Sequence, residues 1–220
     1  MHEQTIVHLN NDRLGPQPSA KDAGAIKKIR VTQPEFARDS KVLGIDVTQI
    51  VGHHHRFVIA QEQMQGATSG FGEALAFALA ERGWNVAVTG RKLDAVKRTA
   101  DEVTRRGGKG LGLQLEVREK AQWEVVRQKL HKAWGGIDIL VNNAGVADVN
   151  KMVDLSDNDW ESLLSTNLDG VINGCRTYAP DMVKQKSGYI LNIASAAGLL
   201  SMPEMANYSV SKAGVIAPSE

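Results

Sequence analysis

The stretch "SAAGLLSMPEMANYSVSK" carries three side chains that could do acid/base chemistry together. Tyr208 is followed four residues later by Lys212, and Ser195 opens the stretch. Residues four apart share one face of a helix. A tyrosine with a pKa near ~10 is a poor base at neutral pH, and a neighbouring ammonium favours its phenolate. Two interpretations are open: a proton-transferring pair with Ser195 as its partner, or two residues that merely share a helix face.

Upstream, the stretch "GATSGFG" has glycines that suit a phosphate-binding turn. The spacing Gly66-x-x-x-Gly70-x-Gly72, with Ser69 and Phe71 inside it, stands directly before a helical pattern. Glycines let the backbone approach a pyrophosphate, and the free N–H groups of the first helical turn receive its negative charge. The spacing differs from G-x-G-x-x-G, and a glycine-rich turn that only opens a helix is the alternative. The βα pattern that follows favours nucleotide binding.

Two charged residues follow the next strands. Arg91, in "VTGRK", stands where an enzyme that prefers NAD normally carries an acid for the ribose 2′-hydroxyl. A guanidinium there suits a 2′-phosphate, so we expect NADP(H) rather than NAD(H). A solvated arginine at a helix start is the alternative. Glu116 is predicted at the end of the third strand, "LGLQLEV", near where an adenine could lie.

The fourth strand, "IDILV", runs into "NNAG", which comprises Asn142 to Gly145. The two amides can hold neighbouring loops together, while Ala144 and Gly145 let a cofactor pass close to the backbone. Alone, this motif indicates only a turn. At the end of a buried strand it supports a dinucleotide site with Asn142, Ala144 and Gly145 as contacts.

The elements that must position these residues alternate between strand and helix. The stretches "NVAVTG", "IDILV" and "YILNIA" are almost continuously apolar, as parallel strands covered on both faces should be. Between them lie amphipathic helical patterns, among them a long helix from its N-cap Ser156 to about residue 186 that contains Pro180. This alternation predicts an α/β fold with a doubly wound, Rossmann-like parallel sheet and helices on both faces. Ligands bind such a sheet beyond the carboxyl ends of its strands, where the candidate residues stand.

Together these residues resemble the short-chain dehydrogenase/reductase family. Its motifs match in order and spacing over residues 66–217: the glycine loop, "NNAG", Asn167, Ser195 and Tyr208-x-x-x-Lys212. The resemblance implies an oxidoreductase that interconverts an alcohol and a carbonyl. It implies that Tyr208 is the general acid/base, that Lys212 lowers the tyrosine pKa and grips the nicotinamide ribose, and that Ser195 polarises the carbonyl. Asn167 would hold a water for proton relay, and a homodimer or homotetramer would form through the long helix and the tyrosine helix.

Both ends of the matching region depart from the family pattern. Residues 1–56 are expected to be an atypical segment, disordered or in short strands, and residues 57–220 a dinucleotide-binding domain incomplete at its C-terminus. Polar "QEQMQ" precedes Gly66, so either "FVIA" is the first strand with a longer loop, or that strand is missing or displaced. A truncated, catalytically silent nucleotide-binding remnant and an unstable fragment are therefore the alternatives to an active enzyme.

Composition limits the partners. The net charge of +1 gives no argument for nucleic acid or an anionic membrane, and no apolar run is long enough to span a bilayer. The single cysteine, Cys175, excludes an internal disulfide. With no signal-peptide pattern at the N-terminus, we expect a cytoplasmic protein that acts on a small carbonyl or alcohol. Adjacent His53, His54 and His55 indicate a solvated loop rather than a metal site, and no metal is expected.

Overall fold

The computed structural model describes residues 5–10, 29–30, 41–42, 45–46, 56–60, 70–200 and 202–219. Among the predicted features, Gly66, Ser69 and the three adjacent histidines lie outside these residues.

The described strands form one large sheet and one small one. They are β1 Thr5–Asn10, β2 Ile29–Arg30, β3 Lys41–Val42, β4 Ile45–Asp46, β5 Arg56–Ala60, β6 Asn85–Gly90, β7 Lys109–Gln114, β8 Ile139–Asn142 and β9 Tyr189–Ile193. The large sheet has the order β2-β1-β9-β8-β5-β6-β7, and β3 pairs only with β4. From β9 to β7 all neighbours are parallel, whereas β1 runs antiparallel to both β9 and β2.

The helices connect the parallel strands. In the described residues they are α1 Phe71–Ala80, α2 Leu93–Arg105, α3 Lys120–Trp134, α4 Asp157–Leu164, α5 Gly170–Gln185 and α6 Ala206–Ile216. The predicted long helix is present with its N-cap, because the side chain of Ser156 accepts a hydrogen bond from the Asp159 N–H. It is not uniform, since a π-helical turn at Ser165–Asp169 separates α4 from α5. Pro180 lies inside α5 on an exposed position.

The first strand of the dinucleotide-binding region is the stretch "RFVIA". β5 pairs in parallel with β6 on one side and β8 on the other, which places it at the centre of the sheet. Its residues Phe57 to Ala60 are buried, as a central strand requires. Of the two alternatives left by the sequence, the one in which "FVIA" is the first strand is therefore correct.

The third strand of this region begins and ends earlier than the sequence predicts. It spans Lys109–Gln114, so Glu116 lies beyond its end rather than at it. Glycines explain the shift, because α2 packs directly on the start of β7. A Cβ on Gly110 would collide with the Ala100 backbone, and one on Gly112 would lie 2.8 Å from the Lys97 Cα. Because they have no side chain, these glycines weaken the apolar pattern that predicts the strand. They also allow α2 to pack closely on β7.

Both faces of the sheet are covered. Phe57 and Ile59 of β5 pack with α1 and α2 on one face, whereas Val58 and Ala60 pack with α3 and α5 on the other. The α/β fold class predicted from the sequence is confirmed. Cys175 lies against the second core, where burial raises the pKa of its thiol to about 11. In the part of the chain that the structure describes, no helix combines the length and apolar character needed to cross a membrane.

Candidate active site

The site forms where β8 and β9 end side by side. The two strands pair in parallel with Asn142 opposite Asn192, so their carboxyl ends lie at the same edge of the sheet. β8 leads into Ala144 and Gly145, and β9 leads into Ser195. Helix α6 lies across this edge and carries Tyr208 and Lys212.

Lys212 is the most deeply placed charge of the site. Its side chain is buried, and Nζ donates a 2.8 Å hydrogen bond to the carbonyl oxygen of Ile193, the last residue of β9. Nζ also lies 5.7 Å from the centre of the Tyr208 ring. Burial lowers the pKa of Lys212 to about 8, because desolvation disfavours the ammonium. At pH 7 most of the lysine is therefore still protonated and places a positive charge beside the partly buried phenol.

Asn167 lies in the π-helical turn and is fully buried. Its Oδ1 accepts from the Val146 N–H at 2.7 Å, and its Nδ2 donates to the Val146 carbonyl at 2.8 Å and to the Ser211 hydroxyl at 3.0 Å. The amide thus ties the loop after Gly145 to α6. Because these bonds engage both ends of the amide, a relay water would have to bond to the backbone of this turn.

Ser195 is buried at the end of β9 and caps a short 3-10 turn, Ala196–Gly198. Its Oγ accepts a hydrogen bond from the Ala197 N–H at 3.2 Å, which leaves the hydroxyl proton to donate. The turn lies tightly on α6, since a Cβ on Gly198 would lie 2.6 Å from the carbonyl carbon of Lys212. This contact keeps Ser195 at the same edge as the tyrosine helix.

The start of α1 offers backbone donors. Gly70 is its N-cap, and the Gly70 carbonyl accepts from Glu73 and Ala74. The N–H groups of Phe71 and Gly72, in the first turn, have no carbonyl within the helix to bond. Gly72 is buried and Phe71 packs against the core, which fixes this helix end over β5 and β6.

Arg91 and Glu116 lie near each other at the next part of the edge. Arg91 is exposed directly after β6, and its carbonyl accepts from the Gln114 side chain at 3.1 Å. Glu116 makes an ion pair with Arg118 at 2.9 Å. The pKa of Glu116 is lowered, chiefly by its hydrogen bonds from Arg118 against the opposing effect of burial, with a smaller contribution from the charge of Arg91. Arg118 is a residue that sequence reasoning missed, although it stands only two positions after Glu116.

The residues of the "NNAG" stretch have two roles: Asn142 makes a hydrogen bond in the interior, and Gly145 leaves space at the edge. Asn142 is buried, and its Nδ2 donates to Oδ1 of Asn192 at 2.8 Å, so the side chain faces the interior and not a cofactor. Only the backbone of Asn142 lies at the edge, so a contact with the cofactor can come from its backbone and not from its side chain. Ala144 is buried. A Cβ on Gly145 would lie 3.4 Å from both Nζ of Lys212 and Oδ1 of Asn167, so the glycine keeps this space open.

Two exposed apolar loops border the edge. The Asn150 N–H donates to the Glu204 carbonyl at 2.8 Å, and Asn150 forms a bridge with Met205, which joins the loop after β8 to the loop before α6. The side chains that this apolar rim exposes are Val149, Met152, Val153, Leu199, Leu200 and Met202.

The residues present fit a dinucleotide. A helix N-terminus behind the central strand suits phosphates, the space over Gly145 leads to Lys212, and the ammonium retains donors beyond its bond to Ile193 for hydroxyl acceptors. In the described residues no group of three or more histidine, cysteine or acidic side chains is arranged to hold a metal ion.

Comparisons with known proteins show which proteins this chain resembles. The family model for short chain dehydrogenase matches residues 64–219. A 3-oxoacyl-(acyl-carrier-protein) reductase FabG from Staphylococcus epidermidis is 35% identical over 153 residues, which are 69% of this chain and 62% of that protein. The chain thus spans less than two thirds of the length of this curated relative.

Solved structures share the fold. A short-chain type dehydrogenase/reductase from Mycobacterium marinum superposes with a TM-score of 0.66 at 32% identity, covering 74% of this chain and 66% of that one. An NAD+-bound xylitol dehydrogenase gives a TM-score of 0.66 at 24% identity, covering 75% and 62%, a likeness that concerns the fold alone.

Proposed function

Because the chain belongs to the short-chain dehydrogenase/reductase family of oxidoreductases, we propose that it interconverts an alcohol and a carbonyl compound by hydride transfer with NADP(H), with Tyr208 as general acid/base. The observation that carries this proposal is the buried Lys212 ammonium beside the Tyr208 ring, at the edge where β8 and β9 end. The spacing of Tyr208 and Lys212 predicts that they share a helix face, but not that the ammonium is buried at this edge of the sheet.

The proton chemistry falls to the residues of α6 and β9. In the direction of reduction, the Tyr208 hydroxyl donates its proton to the carbonyl oxygen of the substrate, and the resulting phenolate is stabilised by the charge of Lys212. The Ser195 hydroxyl donates a hydrogen bond to the same oxygen and orients it. Asn167 keeps the loop at Val146 against α6 and, through the backbone of its π-helical turn, holds the water that returns a proton to Tyr208.

The cofactor would lie along the strand ends. When bound, the nicotinamide supplies the hydride that the carbonyl carbon accepts. Lys212 would donate to the ribose hydroxyls, and the space over Gly145 would admit the nicotinamide half. The first turn of α1 would bind the pyrophosphate, together with Gly66 and Ser69, which precede it in the sequence. The backbone at Asn142 and Ala144 would line the same path.

We favour NADP(H) over NAD(H) because of Arg91. The guanidinium can pair with a 2′-phosphate, and the ion pair with Arg118 partly compensates the negative charge of nearby Glu116. Arg91→Asp should raise the Kd of NADPH about ten- to a hundredfold and that of NADH far less. Arg98→Asp, the same charge change at an exposed position on α2, is the control. Equal weakening for both cofactors would contradict the assignment.

The substrate we propose is a carbonyl on an apolar group. The apolar rim supports this, since it exposes valine, methionine and leucine side chains beside the tyrosine helix. The name of the Staphylococcus relative, a reductase of 3-oxoacyl groups, is consistent with a carbonyl on an acyl chain.

Two measurements test the function. Titration of the purified chain with NADPH, followed by nicotinamide fluorescence, should show saturable binding. Oxidation of NADPH in the presence of a panel of apolar carbonyls should then be observed and should be lost in Tyr208→Phe while binding is retained. NADPH binding without turnover on any carbonyl would favour the second candidate, a catalytically silent nucleotide-binding protein.

We also propose that the chain forms a homodimer or homotetramer through α5 and α6. Val183 on α5 and Val210 on α6 are exposed apolar side chains that such a contact would cover. Light scattering of the purified chain should give a multiple of its 23.9 kDa mass, and a monomer at all concentrations would contradict this assembly. We also propose a cytoplasmic location, with which the single cysteine is compatible because it cannot form an internal disulfide.

A further inference from the structure

A chain of hydrogen bonds runs beneath the site from β8 through β9 to the end of α6. Nδ2 of Asn142 donates to Oδ1 of Asn192 at 2.8 Å, and Nδ2 of Asn192 donates to Oγ of Ser219 at 2.8 Å. The Ser219 hydroxyl in turn donates to the carbonyl oxygen of Val215 at 2.7 Å. The three polar side chains are 2%, 1% and 0% exposed, so each bond lies in the interior.

The series of hydrogen bonds ends at the Val215 carbonyl, and its direction explains why. Each donor points to the next acceptor, and the last acceptor is a carbonyl in the final turn of α6. The last four carbonyls of a helix have no partner within the helix, and a buried one must find another donor. Ser219, in the 3-10 turn Ala217–Ser219, supplies that donor and at the same time connects the helix end to β9.

The same helix and strand are joined a second time at the site. Asn192 is followed on β9 by Ile193, whose carbonyl accepts the hydrogen bond from Lys212. Val215 lies three residues after Lys212 on α6, close to the same helix face. One bond therefore runs from the helix to the strand at Lys212, and another runs from the strand to the helix end at Ser219.

Apolar packing alone fixes this helix weakly. The apolar cluster at this interface is small, with Val171, Ala194 and Val215 as its buried members. Apolar contacts are non-directional and tolerate small rotations, whereas hydrogen bonds weaken steeply when their angles change. Directional bonds therefore add to the tight contact at Gly198 in fixing the rotation of α6 about its axis.

We propose that Asn192 and Ser219 are positioning residues that hold α6 in the rotation at which Lys212 and Tyr208 face the end of β9. The inference rests on the proposed function for its kinetic consequence, but its geometric consequence can be measured without turnover. Neither residue touches the reacting atoms. Their effect passes through the backbone of β9 and the last turn of α6.

The test compares Ser219→Ala with Ser219→Thr, which keeps a hydroxyl. In Ser219→Ala, kcat should fall about tenfold, more than KM for the carbonyl changes, because the acid/base pair is displaced. Acylation of Lys212 by acetic anhydride, quantified by mass spectrometry, should become at least about threefold faster as the helix end loosens. Ser219→Thr should restore both values towards those of the wild type.

A matched control is available on α5. The Thr177 hydroxyl donates to the Asn173 carbonyl at 2.7 Å, the same bond to a residue four positions earlier in a helix. Thr177→Ala should leave Lys212 acylation and kcat unchanged. If Ser219→Ala does not fold, Ser219→Cys, with a weak donor of similar shape, takes its place and should show a smaller change in the same direction.

Two results would overturn the inference: Lys212 acylation and kcat unchanged in a folded Ser219→Ala, or the same losses in Ser219→Thr as in Ser219→Ala. If the wild-type chain binds no NADPH and turns over no carbonyl, the proposed function fails. Lys212 acylation in the three proteins then still decides whether Ser219 positions α6.

Discussion

Lys212 combines a functional charge with an unfavourable location for a charge. Its ammonium is buried and has a pKa near 8 because of desolvation. The folded-state pKa lies below the unfolded value of 10.5, so the unfolded chain binds the proton more tightly. Stability is therefore reduced below pH 8 and rises with pH between about 8 and 10.5. The residue that supports the proposed chemistry thus destabilises the fold at neutral pH.

Because the lowered pKa of Lys212 reduces stability at neutral pH, Lys212→Met is expected to stabilise the fold. The free energy of unfolding of the variant at pH 7 should exceed that of the wild type by about 1–2 kcal/mol, because a buried charge is replaced by an apolar chain of similar length. The variant should therefore unfold at a higher urea concentration. It should also lose NADPH oxidation. Paired urea titrations at pH 7 and pH 10 measure the effect, and the difference from wild type should shrink at pH 10. A variant less stable than wild type at pH 7 would contradict this account.

The residues of the site differ in how far the sequence could predict them. Tyr208 with Lys212 is a local pattern, since helical spacing places the two side chains on one face. The three bonds of Asn167, by contrast, reach Val146 over 21 residues and Ser211 over 44, and Asn192 reaches Ser219 over 27. No local pattern reports such contacts, because they depend on how α6 lies on β9. For the same reason the sequence could not show that the Asn142 side chain faces the interior.

At the scale of elements, close approach between helices, strands and turns decides the geometry. The turn after Ser195 lies on the backbone of α6 at Gly198, and α5 lies on β8 and α3 at Gly174. A Cβ on Gly174 would collide with Oδ1 of Asn142 and would lie 2.9 Å from the Trp123 ring. Both contacts involve groups that cannot move without disturbing the site or the core.

Gly198→Ala should therefore impair activity more than stability. The added Cβ would lie 2.6 Å from the Lys212 carbonyl carbon and 2.7 Å from the Ala213 nitrogen, so the Ser195 turn has to move away from α6. We expect kcat to fall about tenfold or more with a loss of about 1–3 kcal/mol in stability. Steady-state kinetics and urea unfolding measure the two effects. Wild-type kcat in this variant would show that the turn does not set the position of Ser195.

Gly174→Ala should show the opposite balance. Its added Cβ meets the Asn142 amide and the Trp123 ring, which lie in the second core and not at the reacting edge. The expected loss of stability is about 2–4 kcal/mol, measured by thermal or urea unfolding. Stability equal to that of the wild type would mean that α5 can shift outwards freely.

The bounds of elements were predictable where an apolar pattern is strong and not where glycines replace it. The strands at "NVAVTG" and "YILNI" agree with their patterns, whereas β7 begins at Lys109 because Gly110 and Gly112 serve helix packing. The π-helical turn at Asn167 has no signature in the apolar spacing of the long helix. Within this turn, the Asn167 side chain bonds to Val146 and Ser211.

Across the whole molecule, the sheet depends on a central strand that the sequence left undecided. Four apolar residues followed by a polar stretch fit a displaced strand as well as a short central one. The structure shows that the stretch is a central strand, because β5 pairs with β6 on one side and with β8 on the other. At its start the Arg56 guanidinium bonds Asp138 at 2.7 Å and the Trp134 carbonyl at 2.8 Å, which joins β5 to the segment before β8. Polar contacts at its start thus add to the apolar packing that holds this strand.

Charges also join the helices of one face, and this contact predicts an acid sensitivity. Arg127 on α3 pairs with Glu124 and with Asp181 on α5. The pKa of Glu124 is lowered to about 2, first by its hydrogen bonds from Arg127 and then by Gln128. A depressed carboxyl pKa contributes stability above the unfolded value of 4.5, and the contribution is lost as the pH falls towards 2. Because Glu124 is largely exposed, the effect should be only a few tenths of a kcal/mol.

Urea unfolding of wild type and Arg127→Met at pH 6 and pH 3 measures this contribution. The variant should be less stable than wild type at pH 6, and the difference should be smaller at pH 3. A difference that is the same at both pH values would show that Arg127 acts by packing and not by charge.

The most direct test of the account follows the hydride itself. The purified chain is incubated with an apolar carbonyl and NADPH that carries deuterium on one face of nicotinamide C4, and the alcohol product is analysed by mass spectrometry. For the proposed hydride transfer, the label from one of the two faces should appear in the alcohol as a single deuterium. Tyr208→Phe, folded and able to bind NADPH, should form no labelled alcohol. A folded wild-type chain that binds NADPH but transfers no deuterium from either face to any carbonyl would contradict it.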